Sequence, residues 1–198
     1  MGAEGVAPGK KNARRVGATL AFLDESGFLM APLVRRTWAP VGQTPILRQP
    51  GRFHGRVSMV AVLMVSPVRH RVRLVVALYP DANVDTARLL RFVRDLRRLV
   101  RRRLVLVWDR LNVHRAVDCR LRLSTTTLRT EFLPAYAPEL NPVEMLWSWM
   151  KRNPLANDPA FTVDTLAGRA AAAAKQAASD PDLLRSFIRA TPLKSCLK

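Results

Sequence analysis

Three acidic residues, far apart in the chain, have the types and neighbours that metal-dependent cutting of a phosphodiester needs. Asp24 ends the apolar run Ala18–Leu23 and opens Asp24-Glu25-Ser26-Gly27. Asp109 ends a second apolar run, Leu104–Trp108. Glu144 follows Asp109 after 34 intervening residues, inside Leu133-Pro134-Ala135-Tyr136-Ala137-Pro138-Glu139-Leu140-Asn141-Pro142-Val143-Glu144. The reaction requires an activated oxygen on one side of phosphorus and a stabilised leaving oxygen on the other. Two divalent cations about 4 Å apart do both. Mg²⁺ and Mn²⁺ take oxygen ligands and keep several waters, so two or three carboxylates suffice. An Asp at a strand end is short and rigid, and a Glu on a helix reaches further to complete the second ion. Each residue alone also has a plainer reading, as a turn cap or as an acid favoured by a helix dipole. Their combination is what points to a two-ion site. The chain contains no Cys/His cluster of zinc spacing and no Gly-x-x-x-x-Gly-Lys loop, which argues against a nucleotide-hydrolysing motor.

The rest of the composition asks for a polyanion. Lys and Arg outnumber Asp and Glu by 33 to 15, a formal charge of +18 over 198 residues. Such an excess repels itself in the compact state unless a polyanion offsets it, and nucleic-acid phosphates reward Lys and Arg through counterion release. With 48% hydrophobic and 24% charged residues the chain is globular, and its length fits one domain with a proper core. The apolar stretch Val57–Ser66 is far short of a membrane span, and no basic amphipathic terminus stands apart, so no membrane partner is expected. The N-terminus carries Lys10, Lys11, Arg14 and Arg15, but its apolar sequel Val16–Leu23 runs straight into Asp24-Glu25, unlike a signal peptide. Cys119 and Cys196 read as ordinary thiols of a reducing compartment.

Period and punctuation then give the elements that must position the acids. Arg15–Asp24 reads as a strand, Glu25-Ser26-Gly27 as a turn and Gly27–Val34 as the antiparallel partner. Arg35–Phe53 is irregular, broken by Pro40, Gly42, Pro45, Pro50 and Gly51. Val57–Val65 reads as a strand buried on both faces, and Arg71–Leu78 as a half-exposed one. Asp85–Arg102 has apolar residues at helical spacing and arginines along another side. Strand Leu104–Trp108, helix His114–Leu123, strand Thr130–Leu133 and helix Asn141–Arg152 follow, the last with Pro142 at its first position. Thr162–Ser179 and Pro181–Ala190 are helices. The order predicts an α/β fold: a mixed sheet, antiparallel at its start, with helices on both faces. Ligands of such sheets bind at the carboxyl ends of central strands, where Asp24 and Asp109 are expected. We divide the chain into a flexible basic segment 1–15, a catalytic domain 16–155 and a helical extension 156–198 packed on it.

These blocks resemble the DDE transposases of the mariner superfamily, in particular the bacterial insertion-sequence branch. Phe22-Leu23-Asp24-Glu25-Ser26-Gly27-Phe28 looks like its first catalytic strand, and Arg36-Thr37-Trp38-Ala39-Pro40-Val41-Gly42-Gln43-Thr44-Pro45 like its Trp–Gly–Pro segment. Val107-Trp108-Asp109-Arg110-Leu111-Asn112-Val113-His114 is similar to the second block, usually Asp-Asn-x-x-x-His. Leu133–Trp147 carries the most specific wording, and the resemblance covers roughly residues 20–152. It implies a ribonuclease-H-like fold and metal-dependent DNA strand cleavage and transfer, with Asp24, Asp109 and Glu144 as catalytic metal ligands for two Mg²⁺ or Mn²⁺ ions. The partners it implies are element-end DNA and target DNA, with a homodimer compatible, and the setting is a bacterial cytoplasm at the nucleoid. Two departures stand out. Arg110 replaces the usual Asn, and the 23 residues before Asp24 leave no room for helix-turn-helix modules. A separate helix-turn-helix subunit or an upstream reading frame would then supply end recognition. A truncated, non-catalytic DNA-binding remnant and a stand-alone nuclease of the same fold are the competing readings.

Further residues are candidates for DNA contact. Lys151 and Arg152 lie one to two turns beyond Glu144. His114 follows Asp109 by five residues and is as readily a structural histidine. Arg88, Arg91, Arg94 and Arg98 line one side of their helix, where a solvated face is the plainer reading. Trp147 and Trp149 read as packing residues. Glu25 and Glu139 are expected to tune the acidic site without being ligands.

Overall fold

The computed structural model describes residues 17–31, 33–48, 55–67, 71–122 and 127–192. The basic segment 1–15, Leu123 and Cys196 lie outside them. Five strands form one sheet: β1 (Thr19–Leu29), β2 (Arg56–Val65), β3 (Val72–Pro80), β4 (Leu104–Trp108) and β5 (Leu128–Phe132). Their order is β3-β2-β1-β4-β5. The β1–β2 and β2–β3 pairs are antiparallel, and β1–β4 and β4–β5 are parallel. The helices are α1 (Thr86–Leu99), α2 (Asn112–Arg122), α3 (Pro142–Arg152), α4 (Val163–Ala178) and α5 (Pro181–Arg189). The mixed sheet with two helical layers is the expected class.

Strand alternation divides the core. Leu20, Phe22 and Phe28 of β1 face one cluster with Leu146 and Met150 of α3, the alanines of α4 and Phe187 and Ile188 of α5. Ala21 and Leu23 face the other, with Leu89, Val93 and Leu96 of α1 and Val117 of α2. β2 is buried along nearly its whole length because helices cover both its faces and strands flank both edges. The small side chains of Ala170, Ala173, Ala174 and Ala177 form the buried stripe by which α4 packs against the sheet.

β1 differs from expectation. It is one eleven-residue strand that runs through Glu25-Ser26-Gly27 without turning. Its antiparallel partner is β2, paired from Leu20↔Val65 to Leu29↔Arg56, and Gly27–Leu29 belongs to β1 itself. Asp24 therefore sits in mid-strand, not at a strand end. The polar residues looked like a turn because three of them serve the site, as shown below. α1 also stops earlier than expected. Val100 takes extended geometry, and Arg101–Arg103 lead into β4, with the Arg103 carbonyl accepting from Thr19 N–H at 2.8 Å.

Between β1 and β2, residues 33–48 form an arm without helix or strand. Trp38, Val41 and Ile46 on it are fully or almost fully exposed. Its root is clamped by Asn157, whose amide accepts from the Arg35 N–H at 2.7 Å and donates to the Arg35 carbonyl at 2.9 Å. Among the described residues, no helix is long and apolar enough to cross a membrane.

Candidate active site

The parallel pairing of β1 with β4 runs from Thr19↔Leu104 to Phe22↔Val107. Asp24 and Asp109 each follow the last of these pairs by two residues, and both line the cleft described below. Asp24 shares the face of Phe22, toward α3. That helix is fixed along β1 by three side chains. Asn141, its N-cap, accepts from Val143 N–H at 3.2 Å and donates to the Leu23 carbonyl at 3.1 Å. Trp147 Nε1 donates to Asp24 Oδ2 at 2.8 Å. Lys151 Nζ donates to Ser26 Oγ at 2.8 Å and lies 5.5 Å from the centre of the Phe28 ring. Glu144 is on the same side of α3 as Trp147, one turn earlier, so it too faces Asp24.

Asp24, Asp109 and Glu144 line one cleft of about 500 Å³. Arg110, Arg115 and Tyr136 also line it, and Tyr136 is fully exposed with a left-handed backbone, φ 57°. Such strain in a non-glycine residue is concentrated at functional sites. Asp24 is only 8% exposed. Burial is the main reason that its pKa rises to about 7; the Trp147 bond opposes this, and the neighbouring Glu144 and Glu25 charges add to the rise.

The next residue, Glu25, points to the opposite face and meets His114 of α2. His114 Nε2 donates to Glu25 Oε2 at 2.9 Å, and Nδ1 donates to Asp109 Oδ1 at 2.5 Å. The imidazole is fully buried and stacks on Trp108, ring centres 4.9 Å apart and 8° from parallel. Burial pulls the pKa of His114 down, but the two carboxylates outweigh it and the net shift is upward. A carboxylate at each ring nitrogen favours the imidazolium form of His114 and ties the ring to Asp109. Oδ1 of Asp109 takes both this bond and one from Leu111 N–H at 2.9 Å, leaving Oδ2 for a ligand.

The donors are all carboxylate oxygens, the set that Mg²⁺ and Mn²⁺ prefer. Among the described residues, no three His, Cys, Asp or Glu side chains close up into a cage for one ion. A buried Asp24 beside other acids is where positive charge is wanted. The residues thus fit a divalent cation in kind.

The chain matches the family of DDE superfamily endonucleases over residues 19–167. It belongs to that family. Solved structures agree on the fold. A Mos1 transposase paired-end complex with left transposon end superposes with a TM-score of 0.64 at 20% identity, covering 95% of this chain and 57% of the other. A Mos1 mariner paired-end complex with Mg gives 0.62 at 18%, covering 100% and 61%. The catalytic domain of Mos1 mariner transposase gives 0.58 at 15%, covering 100% and 94%. This family member thus has the ribonuclease-H-like fold of that catalytic domain and spans little more than half of the longer Mos1 chains. No curated protein matches it.

The DNA-contact candidates separate in this frame. His114 is fully buried between the Asp109 and Glu25 carboxylates. Lys151 is beside β1, and the Arg152 carbonyl accepts from the Arg35 guanidinium at 2.8 Å. Arg88, Arg91, Arg94 and Arg98 are on α1, across the sheet from α3. Arg88 pairs with Asp85 at 2.7 Å and Arg98 with Asp95 at 2.6 Å, while Arg91 and Arg94 are exposed. Sequence reasoning missed the bonds of Trp147 and Glu25, and the places of Arg115 and Tyr136 in the cleft. Arg110, noted as a departure, lines the cleft as well, with Nε donating to the Leu133 carbonyl at 3.3 Å.

Proposed function

We propose that this chain is the catalytic domain of a DNA transposase, cutting DNA strands and joining them to target DNA with Asp24, Asp109 and Glu144 as ligands for two divalent cations. The observation that carries this reading is the shared cleft, in which one helix supplies both Glu144 and the Trp147 that fixes Asp24. Two Mg²⁺ or Mn²⁺ ions would activate the attacking oxygen and stabilise the leaving one. The protein's own residues hold the acids in place: His114 orients Asp109, Trp147 orients Asp24, and Asn141 anchors the start of the Glu144 helix. Arg110 and Arg115 bring positive charge to the cleft wall, where a phosphate would lie. Mos1 structures described as complexes with transposon ends, with Mg and with Mn, support DNA and divalent ions as the partners.

The test is metal-dependent nicking of labelled end DNA. Asp24→Ala, Asp109→Ala and Glu144→Ala should each abolish it while leaving a folded protein. Near-wild-type nicking by any one of them would show that the site is assigned wrongly. Nicking without joining of the freed 3′-hydroxyl to a plasmid would favour a stand-alone nuclease, and binding without nicking a remnant.

A further inference from the structure

At the other end of the sheet lies a groove of about 1020 Å³, twice the size of the catalytic cleft. It opens at the start of β1 and β4 and the end of β2. Arg71 and Arg73 line it from the start of β3, Arg101 and Arg102 from the segment before β4, and Arg185 from α5. One carboxylate lines it, that of Asp182, 3.4 Å from Arg185. Among the described residues, no ion pair within 4.0 Å engages Arg71, Arg73, Arg101 or Arg102, and all four are exposed.

We propose that this groove is a second DNA-binding site, which holds the backbone of a duplex segment apart from the one being cut. The inference rests on the reading that the chain acts on DNA. Four exposed, unpaired guanidiniums converging from two chain segments onto one concavity form a phosphate-binding surface, because Arg donates bidentately to phosphate and releases counterions on binding. The groove has room for a sugar–phosphate strand. It is about 17 Å from Asp24, counted as five residues of β1. The arginines of α1 form a convex face, and two of them are already paired with carboxylates. The cleft sets its three acids against Arg110 and Arg115, whereas five arginines and one carboxylate line the groove, so the groove offers DNA the larger excess of positive charge in the absence of metal.

The experiment is fluorescence anisotropy of a labelled 30-base-pair duplex of arbitrary sequence, in EDTA, over a range of salt concentrations. For Arg71→Gln/Arg73→Gln/Arg101→Gln/Arg102→Gln, affinity at 100 mM salt should fall at least about tenfold, and the slope of log affinity against log salt should lose about 3.6, at roughly 0.9 per phosphate contact. Arg101→Gln/Arg102→Gln alone guards against misfolding of the fourfold variant and should lose about 2. Arg91→Gln/Arg94→Gln should stay within about twofold of wild type. Unchanged affinity and slope in both groove variants would overturn the proposal, as would a larger loss in the α1 variant. Glu144→Gln should bind as wild type in EDTA but not nick with Mn²⁺. Nicking by that variant would refute the catalytic assignment and leave the groove result standing.

Discussion

Asp24 shows how one side chain serves two ends at once. Burying a carboxylate disfavours its charged form, and Glu144 and Glu25 disfavour it further. Its folded pKa of about 7 is above the unfolded value of 3.8. The folded state thus holds a proton that the unfolded state has lost, so stability falls as pH rises from about 4 to about 7 and then levels off. Asp24→Asn removes this penalty and retains an oxygen for the Trp147 N–H. In EDTA, the variant should melt close to wild type at pH 4 and several degrees above it at pH 8. The ceiling is about 4 kcal/mol, three units at 1.36 kcal/mol each. Thermal melts across pH check this, and a wild type equal to the variant at pH 8 would mean that Asp24 carries no buried charge. Adding Mn²⁺ at pH 8 should raise the wild-type melting temperature and leave that of Asp24→Asn nearly unmoved.

At the scale of elements, α3 converts sequence proximity into site geometry. Asn141 is 3% exposed, caps the helix and ties it to Leu23, the residue before Asp24. Asn141→Ala should cost roughly 1–3 kcal/mol by losing the cap and leaving a buried carbonyl unpaired. Because Glu144 follows by one turn, nicking should fall well beyond what lost stability explains. The comparison is Asp180→Ala, which removes the α5 cap bonds to Asp182 and Leu183 at a cost of about 1 kcal/mol and should leave nicking intact. Equal activity in the two variants would mean that α3 is not the positioning element. The same scale explains what was legible in the sequence. β2, β4, the α1 stripe and the Pro142 helix start were readable because their signals are local: apolar runs, period and caps. The course of β1 was not, because Asp-Glu-Ser-Gly has turn composition whether or not it turns. The choice was made by pairing with β2, some 35 residues away. The Glu25–His114 bond joins residues 89 apart and depends on strand register, which no window of sequence contains. Trp147 was readable as a buried aromatic, but its indole N–H gave no sign that a carboxylate would be its acceptor.

For the whole molecule, the charge of +18 sets two opposite responses to salt. The free protein repels itself, and the screening length shortens from about 30 Å at 0.01 M salt to about 10 Å at 0.1 M. Its exposed ion pairs, such as Arg88–Asp85 and Arg98–Asp95, contribute little that screening could remove. The melting temperature of the free protein should therefore rise between 20 and about 300 mM NaCl. DNA binding replaces that screening by direct phosphate contact, and added salt competes with it. The stabilisation given by a fixed, saturating duplex should shrink over the same range, so the two melting curves converge. Calorimetry of the protein with and without a 30-base-pair duplex, in EDTA to silence the cleft, measures both trends. A free protein that loses stability as salt rises would place its stability in paired surface charges rather than in the core. It would remove the reason for reading the excess of arginine as a surface waiting for phosphate.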